Sequence, residues 1–443
     1  MRPLRAPLAA VAFLFARGAG ARVACIHQGR PMKAILAAAI LTCATGALAE
    51  EHRSYETLMA EARAAFEAED WTAAEGALDA AQAERPYSLY LTRNRILVRT
   101  MLEDFGGAVD LVRQIADRGL SISLTGHSGF ERLKARTEFA ALDEQMAANL
   151  EPVGLATAVL EIDRDFLLPE AVAYAKIGKL EHYYVGAVRQ GGIHVGEALH
   201  SATTGGVYGV KIADELIWTV ENTAAPFTGD RPAGDVAGVY AYSLADGGRR
   251  CAIGLDAKDS LLGAIESTPI GLVASDSLTP RLFVIEGCDA KPRVLSQDPR
   301  FINLQGIAYD KRRKKLYVAD YLAGLFAIDL KSGAVAAVAN DADAHLGGID
   351  GLYTFKGDLI GIQNGTTPQR IVRLHLNRAG DTVRRLDVLQ QNLPEWNEPT
   401  NGVIVGDDLV YVATSNWPAY SDDGSEIKGA QRKPLRLMSV RLD

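Results

Sequence analysis

The chain has 443 residues, of which 48% are hydrophobic, and a formal net charge of −8. The first 49 residues contain six basic residues and no acidic one, so the remainder carries 41 basic and 55 acidic residues, a net charge of −14. Because binding to phosphate backbones depends on clustered Lys and Arg, this balance argues against a nucleic-acid partner. The length leaves room for one large domain and one smaller domain.

Residues 1–49 are predicted to be a targeting region. From Met32, MKAILAAAILTCATGALAEE combines a lysine, an apolar run and small residues ahead of Glu50, which is typical of a secretory signal at 32–49 cleaved after Ala49. Residues 1–31 are either an upstream extension or an over-long gene start. The apolar run is too short to span a bilayer. We therefore expect a periplasmic or secreted protein with no membrane span in its mature form.

Residues 50–150 are predicted to form an α-helical domain. EDWTAAEGALDAAQAERP from Glu69 aligns with EDFGGAVDLVRQIADRGL from Glu103 at an offset of 34 residues, which resembles two units of the tetratricopeptide repeat family. A further helix over Phe130–Met146 is predicted to cap them. So short a stack either offers a groove to a protein partner or packs against the rest of the chain, and packing is favoured.

Residues 151–443 are predicted to form an all-β, six-bladed propeller. A motif of one residue, a small residue and an apolar run recurs six times, and each motif leads into further short strands. The residues that precede the small residue are Glu170, Tyr208, Ile270, Gln305, Asp350 and Asn401. The last unit lacks a fourth strand, and Thr157–Asp163 is a spare strand that is predicted to complete it and close the ring.

The innermost strand of each propeller blade begins near the central channel, so these six residues are expected to face one small volume. Carboxylate oxygens from Glu170 and Asp350 and amide oxygens from Gln305 and Asn401 favour a hard cation such as Ca²⁺, with water in the remaining positions. Four further residues are predicted to line the channel: Tyr208, Ile270, Asn222 and Asn364.

Three units resemble the gluconolactonase and senescence marker protein family of six-bladed, metal-dependent lactone hydrolases: LLPEAVAY, LQGIAYDKRRKKLYVADYLAGLFAIDL and GGIDGLYTFKGDLIGI. The resemblance implies that Glu170 and Asp350 bind the metal, Ca²⁺ or alternatively Zn²⁺, and that Asp350 also takes part in proton transfer. Gln305 stands where that family has an asparagine, and Pro269 replaces a second one. The ligand set is therefore either rebuilt with Asn401 or weakened.

Two cysteines, Cys251 and Cys288, follow the targeting region, and they form either one disulfide or two separate buried thiols. The long insertion at 222–238 is either a lid over one face of the propeller or a surface loop.

Two functions are compatible with these patterns. The first is an exported metal-dependent hydrolase of lactones or related esters, with Asp350 as its catalytic residue. The second is a non-catalytic binding or scaffold protein, in which the helical repeats hold a protein partner and the propeller supplies a rigid platform.

Overall fold

A computed structural model of the chain describes residues 53–164, 167–230, 234–421 and 423–443. The predicted targeting region at 1–49 lies outside these ranges. Six helices come first, followed by the strands of the propeller. The helices are α1 (Tyr55–Glu67), α2 (Trp71–Glu84), α3 (Leu89–Met101), α4 (Phe105–Asp117), α5 (Ser128–Lys134) and α6 (Thr137–Ala148).

The repeat of 34 residues corresponds to two helical hairpins, α1–α2 and α3–α4. Asp70 and Asp104 occupy matching positions, because each accepts a hydrogen bond from a backbone N–H in the first turn of the following helix, at 3.0 Å in both cases. The residues before them, Glu69 and Glu103, both adopt positive φ angles, 55° and 63°. The repeat is thus structural as well as sequential, and its membership of the tetratricopeptide family stays a prediction.

The single helix predicted over Phe130–Met146 is wrong, because α5 ends at Lys134 and α6 begins at Thr137. Arg136 interrupts the helix with an extended backbone (φ −78°, ψ 139°). The break allows Phe130 of α5 and Phe139 of α6 to enter the same apolar core, with exposures of 0% and 2%. Burial of two aromatic side chains outweighs the lost helical hydrogen bonds.

The propeller has six blades, as predicted, and their strands pair antiparallel apart from one short parallel pair in blade 5. Blade 1 contains β2 (Pro169–Ile177), β3 (Leu180–Ala187), β4 (Ile193–Val195) and β5 (Ala198–Ser201), and blade 2 contains β6 (Gly206–Ala213), β7 (Leu216–Asn222), β8 (Ala237–Ser243) and β9 (Arg249–Leu255). Blade 3 contains β10 (Leu262–Thr268), β11 (Gly271–Asp276), β12 (Arg281–Ile285) and β13 (Arg293–Ser296), and blade 4 contains β14 (Leu304–Asp310), β15 (Lys315–Asp320), β16 (Gly324–Ile328) and β17 (Val335–Ala337). Blade 5 contains β19 (Ile349–Phe355), β20 (Asp358–Gln363), β21 (Arg370–Leu376) and β22 (Thr382–Gln391), with β18 (Ala339–Asn340) beside β22, and blade 6 contains β23 (Gly402–Val405), β24 (Asp408–Val412) and β25 (Leu435–Arg441).

Ring closure uses the spare strand that precedes blade 1. This strand, β1 (Thr157–Ile162), pairs antiparallel with β25, with Thr157 opposite Ser439 and Ile162 opposite Leu435. The innermost strands contact one another in the cyclic order β2, β6, β10, β14, β19 and β23, and β23 returns to β2. The predicted closure is confirmed, and it removes an edge strand that would otherwise remain open.

The helices pack on the propeller face at which the innermost strands begin. The backbone N–H of Tyr87 donates to Leu322 O (3.0 Å), and that of Ser121 donates to Thr367 O (2.7 Å). Val153 exchanges two backbone hydrogen bonds with Gln391, both of 3.0 Å. The prediction that the helical segment packs against the rest of the chain is therefore confirmed.

A disulfide joins Cys251 of β9 to Cys288, which follows β12, and so links blades 2 and 3. This resolves the two alternatives that the sequence left open. Within the described ranges, no helix is long and apolar enough to cross a membrane.

Candidate functional site

A β-bulge explains how three of the predicted channel residues leave the sheet. In β2, Pro169 pairs with Ala187 and Ala171 with Gly186, so that Glu170 has no partner across the ladder. The same one-residue shift leaves Tyr208 unpaired in β6 and Asp350 unpaired in β19. A bulge turns a side chain away from the ordinary alternation of a strand. At these three positions the motif in the sequence is therefore the signature of a bulge.

The prediction that Ile270 lines the channel is wrong, because this residue lies in the turn between β10 and β11, at the end of its blade opposite to the one that holds Glu170 and Asp350. Blade 3 has its bulge between Leu262 and Ile265, where Gly263 matches Gln305 of blade 4. Ile270 also precedes a glycine, and this coincidence produced the error. Pro269 lies in the same turn, so it does not replace a channel ligand; the channel position of blade 3 is Gly263, which has no side chain.

Glu170 is held at the junction of the first and last blades. Trp417, in the loop between β24 and β25, donates from Nε1 to Glu170 Oε2 at 2.6 Å. The backbone oxygen of Glu170 accepts from Thr400 Oγ1 at 2.9 Å and from the N–H of Asn401 at 3.2 Å. Burial first, and then the charge of Asp350, raises the pKa of Glu170 well above its usual range, against the effect of the indole donor.

Asp350 belongs to a chain of side-chain hydrogen bonds at the same mouth of the channel. Asn364 Nδ2 donates to Asp350 Oδ2 at 2.8 Å, and Tyr321 Oη donates to Asn364 Oδ1 at 3.0 Å. Burial raises the pKa of Asp350 to about 6, and the amide donor of Asn364 opposes this increase. Asp350 therefore changes its charge close to physiological pH.

Sequence reasoning missed a third acid, Glu398, in the segment that enters β23. Its backbone is in the left-handed region (φ 61°), and its carbonyl accepts from Ser415 N at 3.4 Å. Burial and then the charge of Asp350 raise the pKa of Glu398 to about 8. The sequence NEPTNG carries a signal, because Glu398 lies three residues before Asn401, but the repeated motif marks only the residue before each glycine.

The two amide residues predicted as ligands are placed differently. Gln305 Nε2 donates to Asn303 Oδ1 at 2.7 Å, which leaves its Oε1 beside Gly263 in the channel wall. Asn401 contributes its backbone, because its N–H binds Glu170 O and its carbonyl accepts from Val412 N at 2.9 Å. Asn401 therefore occupies the position before the glycine of the repeated motif, and its backbone joins blade 6 to blade 1.

Of the other predicted lining residues, Asn364 and Tyr208 lie beside the acids and Asn222 has a structural role. Tyr208 and Trp417 have ring centroids 6.4 Å apart, and burial and then the charge of Glu170 raise the pKa of Tyr208. Asn222 bridges two blades, since its amide donates to Leu262 O at 2.8 Å and accepts from Leu262 N at 3.0 Å.

The charges of the three acids determine what this site can bind. Burial raises the pKa of all three acids, the charge of Asp350 raises the pKa of Glu170 and Glu398 further, and no Lys or Arg of the described ranges contributes to these shifts. In the same ranges, no group of three or more His, Cys, Asp or Glu side chains is close enough to hold a metal ion. A cation at Glu170 and Asp350 would therefore also need amide oxygens and water.

Comparison with known proteins finds matches among solved structures alone. No family model and no curated protein matches the chain. Among solved structures, one described as an oxidoreductase (glucose dehydrogenase) from Thermus thermophilus is 15% identical, with a TM-score of 0.44, and the match covers 64% of this chain and 99% of that one. The PQQ-bound aldose sugar dehydrogenase of Streptomyces coelicolor is 14% identical (TM-score 0.40; 66% and 99% covered). A chain of a nidogen–laminin complex is 16% identical (TM-score 0.38; 55% and 84% covered).

Proposed function

We propose that the protein is an exported, metal-dependent hydrolase of lactones or related esters, with its active site at the mouth of the central channel. The observation that carries the proposal is the placement of Glu170 and Asp350. Both are bulge residues on innermost strands, and each has one carboxyl oxygen held by a neutral donor, Trp417 or Asn364. Polar donors that fix buried acids in one orientation are typical of sites that perform chemistry.

The carboxylate and amide oxygens at this site are ligands that suit a hard cation. Glu170 Oε1, Asp350 Oδ1 and Gln305 Oε1 accept no hydrogen bond from a donor in the described ranges. Buried carboxylates without a cationic side chain beside them are costly unless they are protonated or bind an ion. Ca²⁺ accepts such oxygen ligands together with water, and it would polarise a carbonyl group of the substrate.

The acids of the chain supply the proton transfers. As a carboxylate, Asp350 accepts a proton from the water whose oxygen attacks the lactone carbonyl carbon, and the ring C–O bond then breaks. Glu398 is mostly neutral at pH 7, because its pKa is about 8, and it donates a proton to the departing ring oxygen. Transfer of the proton from Asp350 to Glu398 through solvent restores both groups. The net reaction is lactone plus water to hydroxy acid.

Aromatic side chains beside the acids suit a small ring with hydroxyl groups. Trp417 donates from its ring edge to Glu170 and has Tyr208 beside it, with ring centroids 6.4 Å apart, while Asn364 donates to Asp350 and accepts from Tyr321. Pockets that bind small molecules combine apolar walls with a few fixed polar groups.

The test is hydrolysis of a panel of γ- and δ-lactones by the purified protein after removal of metal and after addition of Ca²⁺ or Zn²⁺. Asp350→Asn preserves shape and removes the base, and we expect a loss of at least a hundredfold in kcat. Asp143→Asn, on the exposed side of α6, is the matched control. Activity that survives Asp350→Asn unchanged would remove Asp350 from the mechanism.

Export is part of the proposal, because the disulfide between Cys251 and Cys288 suits an oxidising compartment. The alternative, a non-catalytic scaffold that holds a protein partner, predicts a protein without turnover on any lactone. Tyr87, Ser121 and Val153, in the loops that connect and follow the helices, contact the propeller and so occupy part of the surface of the helical segment, which favours the hydrolase.

A further inference from the structure

A second cavity lies away from the central channel, between the helices and the propeller. Its volume is about 80 Å³. Helices α2, α3 and α4 form most of its wall, and His345 of the propeller closes it. Its polar lining consists of Gln82, Thr92, Arg95, Gln114, Arg118 and His345. The space is large enough for two or three water molecules, or for one anion of the size of acetate.

Two arginines give this cavity a positive wall. Arg95 Nε contacts Asp79 Oδ1 at 2.6 Å, and Arg118 Nη2 contacts Asp343 Oδ1 at 2.5 Å. The partner carboxylates lie toward solvent, with side-chain exposures of 45% and 81%, whereas the two arginines are 17% and 27% exposed. Because solvent screens the outer charges more than the inner ones, the field inside the cavity remains positive.

A third arginine, Arg370, is buried behind the cavity without a carboxylate partner. It is 1% exposed, and its donors reach neutral oxygens: Gln363 Oε1 from Nε (3.0 Å) and Nη2 (2.6 Å), and Arg118 O from Nη1 (3.0 Å). Burial lowers the pKa of Arg370 to about 10, and no Asp or Glu of the described ranges opposes this decrease. A buried cation without a counter-ion is costly, and an anion nearby would offset that cost.

His345, in the cavity wall, is subject to the same positive electrostatic field. It is 3% exposed, and burial, followed by the charges of Arg370 and Arg118, lowers its pKa to about 3. The ring is therefore neutral at physiological pH, and it offers a hydrogen bond without adding a charge. Its ring packs edge-on against Tyr87 of the helical segment, with centroids 5.2 Å apart.

We infer that this cavity is a binding site for a small carboxylate anion, held by Arg95, Arg118 and His345. The buried charge of Arg370 favours the anion from behind, and Gln114, on the exposed side of α4, lies at the entrance. The site is independent of the proposed hydrolysis, because its residues belong to the interface between helices and propeller. An occupied site would also strengthen that interface, since the anion contacts both sides.

The test uses the full mature chain and sodium acetate, with sodium chloride at equal ionic strength as the reference. Calorimetry should show one acetate bound per chain, and the melting temperature should rise with acetate concentration. Gln114→Glu places a negative charge at the entrance on an exposed residue, and it should weaken acetate at least tenfold. Arg113→Gln, the adjacent exposed arginine of α4, removes one positive charge outside the cavity and should leave the affinity within twofold of wild type.

Arg95→Lys is a second variant. It keeps the positive charge but loses the planar guanidinium that can donate two hydrogen bonds to one carboxylate, and it should lower the affinity for acetate several-fold. Equal effects of acetate and chloride on the melting temperature would overturn the inference. The same applies if Gln114→Glu and Arg113→Gln change acetate affinity to the same extent, because binding would then reflect general surface charge.

Discussion

The indole Nε1 of Trp417 donates a hydrogen bond to Oε2 of Glu170 across 247 residues of sequence, at 2.6 Å. The bond joins the loop between β24 and β25, in the last blade, to the bulge of the first blade. It orients one acid of the channel and at the same time crosses the point at which the propeller closes. Closure of the fold and construction of the site therefore depend on each other.

Loss of this donor should weaken cation binding more than catalysis. Trp417→Phe keeps an aromatic ring and removes the N–H, so that Glu170 is harder to ionise and freer to rotate. We expect the affinity for Ca²⁺ to fall about tenfold in calorimetry, because the donor is worth about one hydrogen bond to a charged group. The kcat of the variant at saturating Ca²⁺ should stay within a few-fold of the wild-type value. Trp71→Phe, in α2, is the control, and equal affinities in both variants would contradict this role.

Tyr321 is predicted to act on Asp350 through Asn364. Tyr321→Phe removes the hydroxyl that donates to Asn364 Oδ1, so the amide is less firmly held as a donor to Asp350. The acid limb of the profile of kcat against pH should move to higher pH, and kcat should fall about tenfold.

Tyr309→Phe, in the same blade, is the matched control for that change, and it should leave both the limb and kcat as in wild type. A fall in kcat without movement of the limb would show that Tyr321 affects packing alone.

Stability should depend on the protonation of Asp350. Its pKa is raised from 3.8 to about 6, so its stabilising contribution is complete below pH 4 and is lost as the pH rises through 6. At pH 8 the metal-free Asp350→Asn variant should therefore unfold with a free energy about 1–2 kcal/mol greater than wild type. Urea unfolding at pH 4 and pH 8 measures this. If the free energies of unfolding of the variant and the wild type differ by the same amount at pH 4 and at pH 8, the substitution acts through packing instead of charge.

Removal of the disulfide should destabilise the link between blades 2 and 3. Cys288→Ser opens a loop of 37 residues, and we expect a loss of about 2–4 kcal/mol in the free energy of unfolding. Wild type treated with dithiothreitol should fall to the same value. Unequal values would mean that the serine itself disturbs the structure.

The repeat made the architecture readable from sequence. Six motifs indicated six blades, although the third lies in a turn and not on an innermost strand, and the missing fourth strand of the last unit indicated its partner β1, because an edge strand needs a neighbour. Glu170 and Asp350 were found because a one-residue bulge recurs next to a small residue. These features are local and periodic, and a single sequence carries them directly.

The remaining site residues depend on contacts that are distant in sequence. Trp417 and Glu398 reach the channel from long loops, which have no periodicity to mark them. Ile270 was misplaced because a glycine also follows it in a turn. Arg370 resembles an ordinary strand residue in the sequence, and its burial depends in part on Arg118, which is distant in sequence and accepts a hydrogen bond from it.

The central claim is that the channel acids bind a cation and use it to open a lactone ring. The most direct test is the rate of lactone hydrolysis by the metal-free protein as Ca²⁺ is added, at pH 8, for wild type and Glu170→Gln. The account predicts a saturable increase in wild type, with the half-maximal Ca²⁺ concentration raised at least tenfold in Glu170→Gln, since the variant loses a charged ligand. A rate that does not respond to Ca²⁺, or the same half-maximal concentration in both proteins, would contradict it.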